Sequence, residues 1–224
     1  SRLPLVFPTP VFYAATGHTL VLDAFPVITA DPRLSASADA LRHELQTLLG
    51  KKAAGKLPVR FNYDSAIAVK APEGYTLNVT VQGITITAGT EAGAFYAVQS
   101  LKTLIAPKAW SGVQKSLSIP TVEVRDEPRF GYRAFMIDVA RNFHDKRDML
   151  RILDLMALYK LNVLHFHFSD DEGWRLEIPS LPELTEIGAR RGHGKNMLPP
   201  SYGSGPDTTN TAGTGYFSRN DFIE

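Results

Sequence analysis

The run Leu161-Asn-Val-Leu-His165-Phe-His167-Phe-Ser-Asp170-Asp171-Glu-Gly-Trp174-Arg175 decides the fold. It reads as an apolar strand that stops at two carboxylates, a glycine, an indole and a guanidinium. A short apolar run bounded by turn residues is the pattern of a strand buried in a parallel sheet. The groups at its end suit a sugar: carboxylates take hydroxyls, an aromatic face stacks on a ring, and a planar cation forks onto oxygens. A strand ending in a solvated acidic turn is the plainer reading, so the surroundings must decide.

Upstream, Ala134-Phe-Met-Ile-Asp138-Val-Ala-Arg141 is a second near-continuous apolar run, expected to be buried on both faces. Between the two, Asp145 to Tyr159 has helical spacing, with Asp145 as N-cap and Met149, Ile152, Leu153 and Met156 facing inward. Strand, helix and strand with short joints make a βαβ unit, hence parallel strands and a right-handed crossover. Downstream, Ser180-Leu-Pro182-Glu183 reads as a capping box opening a helix that ends near Gly188. Residues 192–215, rich in Gly, Pro, Ser, Thr and Asn, read as a long functional or mobile loop. Ser218-Arg-Asn-Asp221 starts another helix three residues before Glu224, so the expectation is a truncation inside a domain.

Residues 1–127 follow a different pattern, that of an α+β unit. Val27–Ala30, Ile67–Lys70, Tyr75–Val81 and Ile84–Thr87 read as strands, the last two joined by Gln82-Gly83. Ser35–Leu49, closed by Gly50, and Thr90–Leu104 read as helices. The expectation is an antiparallel sheet with two helices on one face, followed by a connector from Ile119 to Pro128.

The 224 residues carry 24 basic and 23 acidic side chains, and the net charge of +1 gives no electrostatic case for nucleic acid or a membrane surface. No apolar stretch is long enough to span a bilayer, and no secretory h-region opens the chain. With no cysteine, thiol catalysis and disulfides are excluded.

In parallel α/β sheets the site lies at the carboxyl ends of the strands. That selects Asp138 and Arg141 after one strand, and Asp170, Asp171, Trp174 and Arg175 after the other. Arg141 either forks onto two sugar hydroxyls or forms a structural ion pair with Asp138. Asp170 and Asp171 are adjacent and point apart, so they do not form an acid/base pair across a scissile bond. One is expected to orient a partner in the site and the other to cap the turn. His165 and His167 share a strand face, where His-x-His can bind zinc. They lie deep for an open metal site, and His18, His43, His144 and His193 lack ligand spacing. The expectation is interior hydrogen-bonded histidines, no metal and no cofactor.

Three ordered blocks, Glu127 to Phe143, Met156 to Arg175 and Pro182 to Ala189, closely resemble the family 20 glycoside hydrolases, the β-N-acetylhexosaminidases. Pro72 to Leu77 and Ala92 to Leu101 resemble the non-catalytic α/β domain that precedes the barrel in that family. The resemblance implies residues 1–127 as that domain and 128–224 as the start of a (β/α)8 TIM barrel, about 96 residues against roughly 250 for a complete one. It implies removal of terminal N-acetylglucosamine or N-acetylgalactosamine with retention. The substrate's own acetamido oxygen is then the nucleophile, an exception to the two-carboxylate rule. Arg141 matches the arginine that binds the terminal sugar, and Asp170 the acid that supports a histidine and the general acid. Asp138, Asp171, Trp174 and His167 complete the implied binding or supporting set. The catalytic Asp-Glu pair is expected beyond Glu224. The partners implied are N-acetylhexosamine glycans and the rest of the barrel, or a second copy, to cover an open edge. A periplasmic or extracellular location is the expectation. The alternative is a non-catalytic glycan-binding or interaction protein derived from such an enzyme.

Overall fold

A computed structural model describes residues 5–50, 52–171, 173–191 and 213–224. The chain divides into two compact units, one of residues Ser1–Gly131 with Ala157–Lys160, the other of Tyr132–Met156 with Leu161–Glu224.

The first unit is built on a six-stranded sheet. Its strands are β1 (Phe12–Leu22), β2 (Phe25–Ala30), β3 (Ala54–Tyr63), β4 (Tyr75–Thr80), β5 (Gly83–Ala88) and β6 (Leu117–Asp126), in the order β1-β6-β4-β5-β3-β2. Helices α1 (Ser35–Leu49), α2 (Ser65–Lys70) and α3 (Glu91–Leu104) connect them. Helix α1 buries Leu41, Leu45, Leu48 and Leu49 and ends at Gly50, whose φ of 65° suits a residue without a Cβ. Helix α3 starts where the Thr90 hydroxyl accepts the Gly93 amide, and it buries Ala94, Ala97, Val98 and Leu101. Both pack on a core centred on Val59, Leu77 and Ile86, each at most 1% exposed.

Four expectations change here. The sheet is mixed rather than antiparallel: β2 pairs parallel with β3, and β3 with β5. The α1 crossover returns β3 in the direction of β2, and β5, the second strand of the β4–β5 hairpin, comes to lie parallel to β3. Ile67–Lys70 is the end of helix α2 rather than a strand. Four residues of alternation do not fix a period, and Asp64 caps this helix by accepting the Ala66 amide. The stretch read as a connector from Ile119 belongs to β6. Pro120 is tolerated there because it faces Thr19, at the register shift in β1, and lies beyond the last β4 pair, Val79 with Val122. The β4–β5 joint is Val81-Gln82, and Gly83 already pairs with Thr80.

The second unit opens with the expected strand, helix and strand: β7 (Ala134–Asp138), α4 (Lys146–Leu158) and β8 (Val163–His167). The two strands pair parallel from Ala134 opposite Val163 to Asp138 opposite His167. Asp145 caps α4 by accepting the Asp148 amide. A tight hairpin follows, β9 (Ser169–Asp170) with β10 (Gly173–Trp174), then α5 (Glu183–Glu186) and α6 (Arg219–Ile223). The core is small: Val139, Met149 and Phe217, with Ile137, Leu164, Phe166 and Phe168 packed on it. Phe222 of α6 stacks on Phe166 at 5.6 Å.

Neither β7 nor β8 is buried on both faces: no residue of either is fully buried. Phe135 is 42% and Met136 54% exposed, because no described residue covers them. Leu153 of α4 is likewise exposed, whereas Met149 and Met156 are buried. The Ser180 capping box does not form. Pro182 stands at the N-cap of α5, and its carbonyl accepts from Thr185 and Glu186. The capping box at Ser218 with Asp221 forms as read. The expectation for the loop 192–215 falls, over 192–212, outside the described residues.

Candidate functional site

The register of β7 and β8 builds the site, because it sets Asp138 directly beside His167 at the two carboxyl ends. After β7 the chain turns sharply. Oδ1 of Asp138 accepts the amides of Ala140 at 2.9 Å and Arg141 at 3.1 Å, closing an Asx-type turn. The turn brings the Arg141 guanidinium back over its own strand, where Nη1 donates to Asp138 Oδ2 at 2.9 Å. The same nitrogen reaches Asp170 Oδ2 at 2.7 Å.

Nε2 of His167 lies 2.7 Å from Asp170 Oδ2 and 3.1 Å from Arg141 Nη1. A ring nitrogen cannot donate to the carboxylate and accept from the guanidinium at once. The shorter contact assigns the proton to Nε2, with Asp170 accepting from His167 and from Arg141. Asp170 Oδ1 also accepts the Asp171 amide at 2.8 Å, which tightens the β9–β10 hairpin. One carboxylate thus orients the histidine and the arginine and also pins the turn that carries it. Asp171, through its carboxyl and its amide, then His167, then the charge of Arg141, hold the Asp170 carboxyl well below the usual carboxylate range. Asp138, Arg141, His167 and Asp170 are each partly exposed, from 24% to 31%, so the cluster opens to solvent.

The remaining candidates divide. Asp171 is exposed beside the cluster, and Trp174 is half-buried with its indole N–H on the Leu176 carbonyl at 2.5 Å. His165 is exposed on β8, outside the cluster, rather than interior as expected: it lies on the strand face that no described residue covers. Among the described residues no group of three or more His, Asp or Glu is placed to hold a metal ion.

Arg175 does not face the mouth. It is 0% exposed, and its hydrogen bonds among the described residues all go to backbone carbonyls, those of Val139, Ala140, Ala189 and Gly215. Burial lowers its pKa to about 10, with Arg191 acting in the same direction. Sequence reasoning passed over Gly173. A Cβ there would lie 2.5 Å from the Ala140 carbonyl, so only glycine lets the hairpin approach this turn. Its signal was a glycine placed just after three consecutive acids, Asp170 to Glu172.

Parallel strands here carry an arginine-bound pair of carboxylates at their carboxyl ends, where α/β sheets place their sites. Residues 130–224 match the glycosyl hydrolase family 20 catalytic domain, and residues 3–127 match domain 2 of the same family. The chain belongs to glycosyl hydrolase family 20. The N,N'-diacetylchitobiase of Vibrio harveyi is 42% identical over 98% of this chain, and a β-hexosaminidase of Vibrio vulnificus is 40% identical over 98%. The chain spans about a quarter of the length of these curated relatives. A family 20 exo-β-N-acetylglucosaminidase from Vibrio harveyi, solved in complex with N-acetylglucosamine, superimposes with a TM-score of 0.79 at 30% identity. The match covers 99% of this chain and 33% of that one. The family 20 β-N-acetylhexosaminidase of Streptomyces coelicolor A3(2) gives a TM-score of 0.76 at 29% identity, over 99% of this chain and 43% of that one.

Proposed function

We propose that this chain is the domain 2 and leading catalytic portion of an exo-acting β-N-acetylhexosaminidase that removes terminal N-acetylglucosamine or N-acetylgalactosamine with retention. The observation that carries the reading is the Arg141 guanidinium held between Asp138 and Asp170 at adjacent strand ends, in a chain that matches both family 20 domains. An arginine fixed by two carboxylates keeps one orientation and presents its donors as a preformed fork to vicinal hydroxyls. Arg141 is assigned to the terminal sugar, with Asp138 as its anchor. Asp170 supports His167 and, through it, the acid side of the reaction, while Asp171 and Trp174 border the sugar. Retention uses the substrate's acetamido oxygen as nucleophile, so the protein needs a general acid and a group that orients the acetamide. Both are assigned to later strands of a (β/α)8 barrel that β7, α4 and β8 begin. No described helix is long and apolar enough to cross a membrane, and a periplasmic or extracellular site of action is proposed.

The test is hydrolysis of aryl N-acetyl-β-glucosaminide and -galactosaminide by the complete polypeptide that carries this chain. Saturable release of the aryl group, with the β-anomer of the free sugar appearing first, is expected. Glycan binding without turnover would replace this reading with that of a non-catalytic binding protein.

A further inference from the structure

Among the described residues, no carboxylate hydrogen-bonds the buried guanidinium of Arg175. Burial of that kind is costly unless the donors are fully used. Here they are used on three segments at once. Nε donates to Val139 O at 2.9 Å and Nη2 to Ala140 O at 2.8 Å, while Nη1 donates to Ala189 O at 2.6 Å and Gly215 O at 3.0 Å. Val139 and Ala140 are the two residues between Asp138 and Arg141. Their amides and carbonyls are therefore held from opposite sides: Asp138 Oδ1 takes the Ala140 amide from the solvent side, and Arg175 takes the carbonyls from within. The Phe143 ring lies 5.7 Å from the guanidinium, and the Arg175 amide donates to Phe168 O, which fixes its stem to the end of β8.

We propose that Arg175 is a positioning residue: it sets the Asp138–Arg141 turn from inside, and through that turn the Arg141–Asp170 pair. Only the fixed fork of an arginine spans these acceptors, since lysine places its three donors on one atom. Gly173 serves the same end by letting β10 lie against Ala140. The effect on hydrolysis rests on the function proposed above, but the geometric effect does not.

The experiment compares amide hydrogen exchange in the 224-residue chain and in its Arg175→Lys variant. The Ala140 and Arg141 amides are expected to exchange at least tenfold faster, with β8 amides little changed and β4–β5 amides unchanged. The Asp170 carboxyl, followed by NMR titration, is expected to move back up toward the ordinary aspartate value as Arg141 loosens. Unchanged exchange at Ala140 and Arg141, or an equal rise across the whole second unit, overturns the proposal; the equal rise leaves Arg175 a general structural brace. Should Arg175→Lys melt the second unit, Phe143→Leu removes the ring and keeps the four hydrogen bonds. It should give the same two-amide signature at lower amplitude, and its absence also overturns the proposal. In the complete polypeptide, Arg175→Lys should lower kcat/KM severalfold or more, yet cost nothing further once Arg141→Ala is present. A wild type that hydrolyses nothing removes the proposed function, while the exchange data still decide the positioning role.

Discussion

At the scale of single residues, charge is concentrated where the two parallel strands end. Arg141→Ala is expected to lower kcat/KM of the complete enzyme by about 10- to 100-fold, because a charge-assisted fork is worth roughly 1.5–3 kcal/mol. Near-normal kcat/KM in that variant would show that the sugar site lies elsewhere. A pH effect follows from Asp170. Its folded pKa is depressed, so the stability it contributes is complete above the unfolded value of about 4. That stability is lost as pH falls below 4 toward the lower folded value. Asp170→Asn should therefore flatten the acid limb of second-unit stability below pH 4 without altering its form above pH 5. An acid limb identical to wild type would show that the Asp170 contacts do not persist in solution.

At the scale of elements, caps and crossovers decide what forms. Ser218 and Asp221 satisfy each other's amides at the start of α6. Ser218→Ala should weaken this five-residue turn by about 1 kcal/mol, seen as faster exchange at the Asp221 and Phe222 amides. Ile86, 0% exposed at the centre of the first sheet, should cost about 2–5 kcal/mol as Ile86→Ala in urea unfolding. These elements also show what can be read from sequence. The strands β7 and β8, the helix between them and the placing of Asp138, Arg141 and Asp170 at the strand ends were legible, because apolar runs and end-of-strand charges are local signals. Strand β3 was not, although Leu57, Val59, Phe61 and Tyr63 alternate with Lys56, Arg60 and Asn62, because Pro58 falls inside the run. Without β3 the parallel pairing of the first sheet had no visible cause. Arg175 was misread for a different reason. A guanidinium that serves a sugar and one that serves four carbonyls look alike until the hairpin folds it inward.

At the scale of the molecule, the two units differ in how much they bury. The first closes a core over a six-stranded sheet, whereas the second leaves Phe135, Met136, Leu150, Leu153 and Leu155 exposed around a small core. Exposed apolar strand and helix faces promote association. In the 224-residue chain, amide protection across residues 134–140 and 161–168 should be well below that of β4 and β5, with light scattering that rises with concentration. A strictly monomeric chain with equal protection in both regions would sink this account. The same chain should also show no saturable turnover of an aryl N-acetyl-β-glucosaminide. The general acid assigned to later strands contributes on the order of 10²- to 10⁴-fold, and the group that orients the acetamide is assigned there too. Measurable turnover would place the acid within these residues.

The pairing of β1 with β6 has a consequence for the order of events in time. Phe12 lies beside Arg125, and the Val11 amide reaches Asp126 across 115 residues of sequence. As a ribosome delivers the chain, β1 is the unit's first strand out, and its partner arrives last. Until then β1 carries a row of unanswered amides and carbonyls, while β2, α1 and β3 can already assemble. Late, long-range closure of this kind slows folding and prolongs the life of a sticky intermediate. The bulge at Gly17, between the Ala15 and Thr19 pairs, interrupts the strand during that wait. It leaves β1 a poor template for a neighbouring nascent chain and a good one for β6, whose Pro120 matches the interruption.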